Sequence, residues 1–182
     1  MSIYQYPSHN ISHMKVLITY FVVAVCLNSD VVLGACDKNK SASTPTSQFI
    51  LREGEAFDQK TKLTWCRCSV GTTWKKGAGC VGAVKLMSLE DAKQIAQKLG
   101  GGWRIPTIEE LYSIVEQRCT NPAINSEVFP DVKNSGEGAP YWSVTKIKEM
   151  PSLIYYIDFL SSEADGHTKG FPMAVRLVRT GR

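Results

Sequence analysis

An apolar run, Val16 to Leu27, stands behind Lys15 and is ended by Asn28, Ser29 and Asp30. A bilayer span takes roughly 20 apolar residues, so this run is too short to be one. Its length is that of the hydrophobic stretch of a secretory signal, with Lys15 as the charged lead. Met14 directly precedes that lysine and offers a second start of translation. Export dictates how the rest can fold. The chain that follows meets an oxidising compartment, where cysteines pair.

The run leads into Leu33-Gly34-Ala35-Cys36, which resembles a bacterial lipobox. Residues 1–35 therefore read as a signal peptide and Cys36 as the lipidated first residue of a lipoprotein. The alternatives are plain secretion after a cut behind Ala35, and an uncleaved anchor. With Cys36 lipidated, Cys66, Cys68, Cys80 and Cys119 remain as an even set. Residues 37–48 (DKNKSASTPTSQ) carry no large apolar side chain and cannot bury surface to offset their ordering entropy. We read 36–48 as a flexible tether whose removal leaves the fold intact.

About 134 residues follow, 49–182, enough for one domain with a true core. A formal charge of +4 is too small an excess to announce a nucleic-acid binder. Two helices are marked by their caps. Ser88 precedes Leu89, Ala92, Ile95, Ala96 and Leu99 at helical spacing, and Gly100-Gly101-Gly102 stops that helix. Thr107 and Glu110 form a second capping box ahead of Leu111, Ile114 and Val115, behind Pro106. Strand-like runs are 57–65 (two short strands and a polar turn), 141–147, 154–160 and 174–179. The turn-rich stretch 161–170 predicts that the last two form a terminal hairpin. The proline-rich segment 120–140 is expected to be ordered by packing. The order is that of an α+β fold with an antiparallel sheet, two helices and long irregular loops.

Several segments, in this order, resemble one family. They are Thr61 to Cys68 (TKLTWCRC), Gly71-Thr72-Thr73-Trp74 with Cys80 downstream, and Gly102 to Leu111 (GWRIPTIEEL). Asn121 to Asn125 (NPAIN), Phe129-Pro130, Tyr141-Trp142-Ser143 and Val175 to Arg179 (VRLVR) complete the set. Together they are similar to the Lcl C-terminal domain of bacterial exported proteins, over nearly everything from Ala56 to Arg179. The resemblance implies a C-type-lectin-like fold related to that of the formylglycine-generating enzyme, with its termini paired in one sheet. It implies display and binding rather than catalysis. The family's named member is an adhesin that engages sulfated glycosaminoglycans.

A disulfide within Cys66-Arg67-Cys68 is strained, which leaves two connectivities. The favoured one pairs Cys68 with Cys80 and Cys66 with Cys119. The rival reading of Cys-x-Cys is a soft-metal or redox pair. Trp65, Trp103 and Trp142 lie in motif segments and read as core, and Arg104 as a half-buried arginine satisfied by carbonyls or a carboxylate. Trp74, in a loop rich in Gly and Lys, is the candidate for an exposed aromatic contact. Lys60, Lys62, Arg67, Lys75 and Lys76 precede it or flank it, and Arg176, Arg179 and Arg182 close the chain. If the termini share a sheet, these eight residues, with Lys75, Lys76, Arg176 and Arg179 as the candidate ligand contacts, form one basic face for anionic or sulfated glycans; otherwise they are ordinary solvated surface. No catalytic motif stands out.

The expectation is therefore a non-catalytic recognition protein of the cell envelope, periplasmic or on the surface, without cofactor or metal. Its partner would be a glycan or an envelope protein, with a membrane reached through Cys36. The rivals are an enzyme or redox protein of the formylglycine-generating fold and a structural subunit of an envelope complex.

Overall fold

The computed structural model describes residues 35–182. The signal-peptide reading thus falls, apart from Ala35, outside the described residues. In chain order the elements are β1 (Ala35–Cys36), a 3-10 turn (Thr46–Gln48), β2 (Phe49–Arg52), β3 (Glu55–Asp58), β4 (Leu63–Cys66), β5 (Thr72–Lys75) and β6 (Gly79–Gly82). Then come α1 (Leu89–Leu99), α2 (Ile108–Tyr112), β7 (Cys119–Thr120), β8 (Pro140–Lys146), β9 (Leu153–Asp158), β10 (Glu163–Thr168) and β11 (Val178–Thr180). The fold is α+β with antiparallel sheets.

Both helices start where their caps predict. The Ser88 hydroxyl accepts the amide of Asp91, and Gly100, at φ 65°, ends α1 in a conformation that L side chains avoid. Thr107 and Glu110 form the full capping box of α2. That helix is short because the amides of Ile114 and Val115 turn back onto Leu111 and Tyr112, three residues behind. Both side chains still enter the core.

A four-stranded sheet runs β11-β4-β3-β2 and a three-stranded one β10-β9-β8. The hairpin expected over 57–65 is β3 and β4. Asp58 shapes its turn by accepting the Lys60 amide at 2.8 Å and the Thr61 hydroxyl at 2.8 Å. β2 and β11 are the edge strands of one sheet, so the domain's ends do share it without pairing to each other. The expected terminal hairpin does not form. The polar stretch 163–168 is itself a strand beside β9, and β11 crosses to β4.

One core packs Phe49, Trp65, Leu111, Ile114, Tyr141, Ile157 and Phe159 with side chains from the 120–140 segment, notably Ile124, Val128 and Phe129. A second joins α1 to Trp142, Ile154, Val175 and Leu177. The long loop is ordered by packing, as its composition predicts.

The tether reading of 36–48 is corrected. β1 pairs with β7, and Glu116, itself buried, accepts the amides of Ser43 and Thr44 at 2.9 Å each and the Thr44 hydroxyl at 3.0 Å. A segment without large apolar side chains is held here by a buried carboxylate instead.

Candidate functional site

The cysteines set the frame. Cys68 pairs with Cys80, as expected, and Cys36 pairs with Cys119. The expected Cys66–Cys119 bridge is therefore corrected, as is lipidation of Cys36: a sulfur held in a disulfide has no thiol left to alkylate. Register explains the choice, since Cys36 lies directly opposite Cys119 in the β1–β7 pair. Cys66 stays a free thiol, and burial pushes its pKa up to about 12, against a smaller opposing pull from Arg176. Ligand atoms of Cys68, Cys80 and Asp131 lie within 4.8 Å of one another. The two sulfurs are bonded to each other, however, so the Cys-x-Cys step presents no pair of thiolates.

Arg176 is not on a basic face. It is fully buried, with Nη2 2.7 Å from Asp131 and 2.9 Å from the Ser69 hydroxyl, and Nη1 on the carbonyls of Cys66 and Arg67. Asp131 also accepts the Ser69 amide at 2.6 Å and the Thr72 hydroxyl at 2.8 Å, while the Ser69 hydroxyl meets Tyr141 at 2.7 Å. Burial alone would raise the Asp131 carboxyl; Arg176 and these donors hold it below the ordinary carboxylate range. This network ties the segment just ahead of β11, the 131 loop and β8 together.

Arg67 is buried too, donating to the carbonyls of Glu53, Glu127 and Val128. Its guanidinium lies 3.8 Å over the Trp74 ring, whose Nε1 donates to Glu53 at 3.2 Å. Trp74 is thus a half-buried prop under the β5–β6 hairpin, seated on the β2–β3 turn, and not a free platform. Lys75 and Lys76 at the hairpin's end are exposed. Trp65 and Trp142 are core, as read, and Trp103 is half-buried. Arg104 forms a two-point pair with Glu110 at 2.6 and 2.7 Å, and the carbonyl of buried Pro106 accepts the Val144 amide.

A basic face does exist, on the solvent side of the four-stranded sheet. Alternate residues of adjacent strands line a shallow depression of about 30 Å3: Ile50 and Arg52, Glu55 and Phe57, Thr64, then Arg179 and Arg182. Ile50 stands opposite Phe57, Arg52 opposite Glu55, and Thr64 opposite Arg179. The Arg182 guanidinium lies 4.7 Å over Phe57. Arg179 lies 5.1 Å over Trp103 and pairs with Glu55 at 2.9 Å. Of the residues expected to form such a face, Arg179 and Arg182 are on it. Arg52 and Phe57 were missed. Phe49-Ile50-Leu51-Arg52 carries no apolar–polar alternation to mark Arg52; only the β2–β3 register, which sets it opposite Glu55, places it on this face.

Residues 54–179 match the Lcl C-terminal domain family. The chain belongs to that family. No curated protein matches it. Membership points to an envelope-associated protein, and no helix among the described residues is long and apolar enough to cross a membrane. In this Lcl C-terminal domain the matched segment contains Glu55, Phe57 and Arg179, whereas Arg52 and Arg182 flank it.

Proposed function

We propose that this Lcl C-terminal domain is a recognition module of an exported envelope protein, and that it binds sulfated glycans on the outer face of its four-stranded sheet. The observation that carries the reading is the set Arg52, Arg179 and Arg182 around Phe57 in a depression too shallow for a small molecule. Polymers bind on such open surfaces. Guanidinium forks match sulfate oxygens two at a time, and arginine gives up its hydration more readily than lysine. Recognition rather than catalysis is supported by the polar core. Its most reactive groups, Asp131, Ser69 and Tyr141, are engaged with Arg176 and with one another. With Cys36 held by Cys119, the route to the envelope is secretion with a cleaved signal rather than a lipid on that sulfur.

The test is binding to heparin and to its desulfated form across a salt series, by calorimetry, using protein made under oxidising conditions. Charge reversal of Arg52, Arg179 and Arg182 together should weaken heparin binding by roughly 100-fold, at about 1 kcal/mol for each lost contact. It should also flatten the salt dependence. Reversal of Lys75 and Lys76 alone should do less. Equal binding of the desulfated polymer, or an unchanged affinity in the triple variant, would overturn the reading and turn attention to an envelope protein partner.

A further inference from the structure

A second concave surface lies on the three-stranded sheet and has the opposite electrostatic character. The loop 133–138, strands β9 and β10 and the Phe171–Met173 segment enclose a cleft of about 550 Å3. This is within the size range of small-ligand sites. Three aromatic rings, Tyr156, His167 and Phe171, stand in its wall, with the last two 3.9 Å apart between ring centres and tilted by 35°. Glu137 and Asp158 supply its charge. Asp165, directly opposite Tyr156 in the β9–β10 pair, adds to the negative field at that ring. None of these three carboxylates has an ion-pair partner among the described residues.

Asp158 is fixed in place. One of its oxygens accepts the amides of Ala139 at 2.9 Å and Leu160 at 2.8 Å, which fastens the end of the loop to the sheet. At Gly138, φ 98°, a Cβ would come within 2.3 Å of the other oxygen. The loop can approach this carboxylate only because that residue is glycine. Such a seat fixes at the cleft a carboxylate that pairs with no cation among the described residues.

Aromatic faces beside unpaired carboxylates recognise a cation that also carries a flat apolar face. We infer that the cleft binds an amino sugar with a free ammonium group, its ring against the His167–Phe171 wall and its ammonium between Glu137 and Asp158. This is separate from the sulfated-glycan reading in both surface and charge. An anionic ligand is disfavoured here by the same carboxylates.

The experiment titrates the purified protein, by calorimetry at low salt, with a glucosamine trimer and with its fully N-acetylated form. The free-amine trimer should bind at least roughly tenfold more tightly, the equivalent of one ammonium–carboxylate contact. The double variant Glu137→Gln, Asp158→Asn removes the charge, while the carboxamide introduced at position 158 keeps an oxygen to accept the Ala139 and Leu160 amides. It should lose that preference and keep the parent's urea-unfolding midpoint, which certifies its fold. Equal affinity for the two trimers, no binding of either, or an unaltered preference in a folded double variant would each overturn the proposal. None of these results would bear on the heparin face.

Discussion

Arg176 carries a full charge with no exposure to water, and the surrounding groups show why that is tolerable. Both terminal nitrogens have acceptors, one of them the carboxylate of Asp131. A buried ion pair of this kind adds little net stability, but removing one partner leaves the other charge uncompensated, at a cost of roughly 3–5 kcal/mol. Asp131→Asn should therefore lower the stability measured by urea unfolding by about that amount. The pH dependence follows from the depressed carboxyl of Asp131. A group whose pKa is lower folded than unfolded contributes fully above its unfolded value, about 3.9 for Asp. Its contribution is lost as pH falls below that. The parent should lose stability steadily below about pH 4, and the variant, already without it, should show a flatter acid limb. An equally steep limb in both would assign acid sensitivity elsewhere. The sequence placed this arginine on the surface because charge usually belongs there. Its position in the middle of the apolar run Met173 to Val178 is the sign that it points inward.

The elements legible in the sequence are those specified by neighbours in the chain. The two helix caps depend on residues three apart, Ser88 with Asp91 and Thr107 with Glu110, and both form. β10 carries no alternation of apolar and polar residues, so Glu163 to Thr168 reads as a loop, and only its pairing with β9 makes it a strand. The docked segment ahead of β2 depends on Glu116, more than seventy positions away, and no local pattern reports that. Glu116 is held low in pKa: burial opposes, but the amides of Ser43 and Thr44 outweigh it. Peptide mapping of the mature protein should recover Cys36 linked to Cys119. A diacylglyceryl thioether on Cys36 would sink that assignment. Glu116→Ala strands buried donors, at about 1–3 kcal/mol each. It should open residues 37–48 to limited proteolysis while leaving the remainder resistant; cleavage spread through the domain would instead make Glu116 a determinant of the whole fold.

At the scale of the molecule, the α+β order and the single ordered domain were readable because summed composition, caps and strand runs agree. The basic face was only half readable, because it is assembled from strands distant in the chain. Its assembly also bears on where the domain begins. The family match starts at Gly54, inside the turn between β2 and β3. Everything before that turn would look dispensable, yet Phe49 is buried edge-on to Phe129 at 5.8 Å, and Arg67 donates to the carbonyl of Glu53. Burying one such aromatic side chain is worth roughly 1.5–3 kcal/mol, before the lost β2–β3 ladder is counted. Chains beginning at residues 36, 49 and 54 should therefore unfold at successively lower urea concentrations. The first step reports the Glu116 clamp and the Cys36–Cys119 bridge, the second the edge strand. The last chain also lacks Arg52, so it should bind heparin more weakly even under conditions where it is folded. A chain beginning at residue 54 with the parent's unfolding midpoint and the parent's heparin affinity would place both the domain boundary and the basic face within the family segment alone.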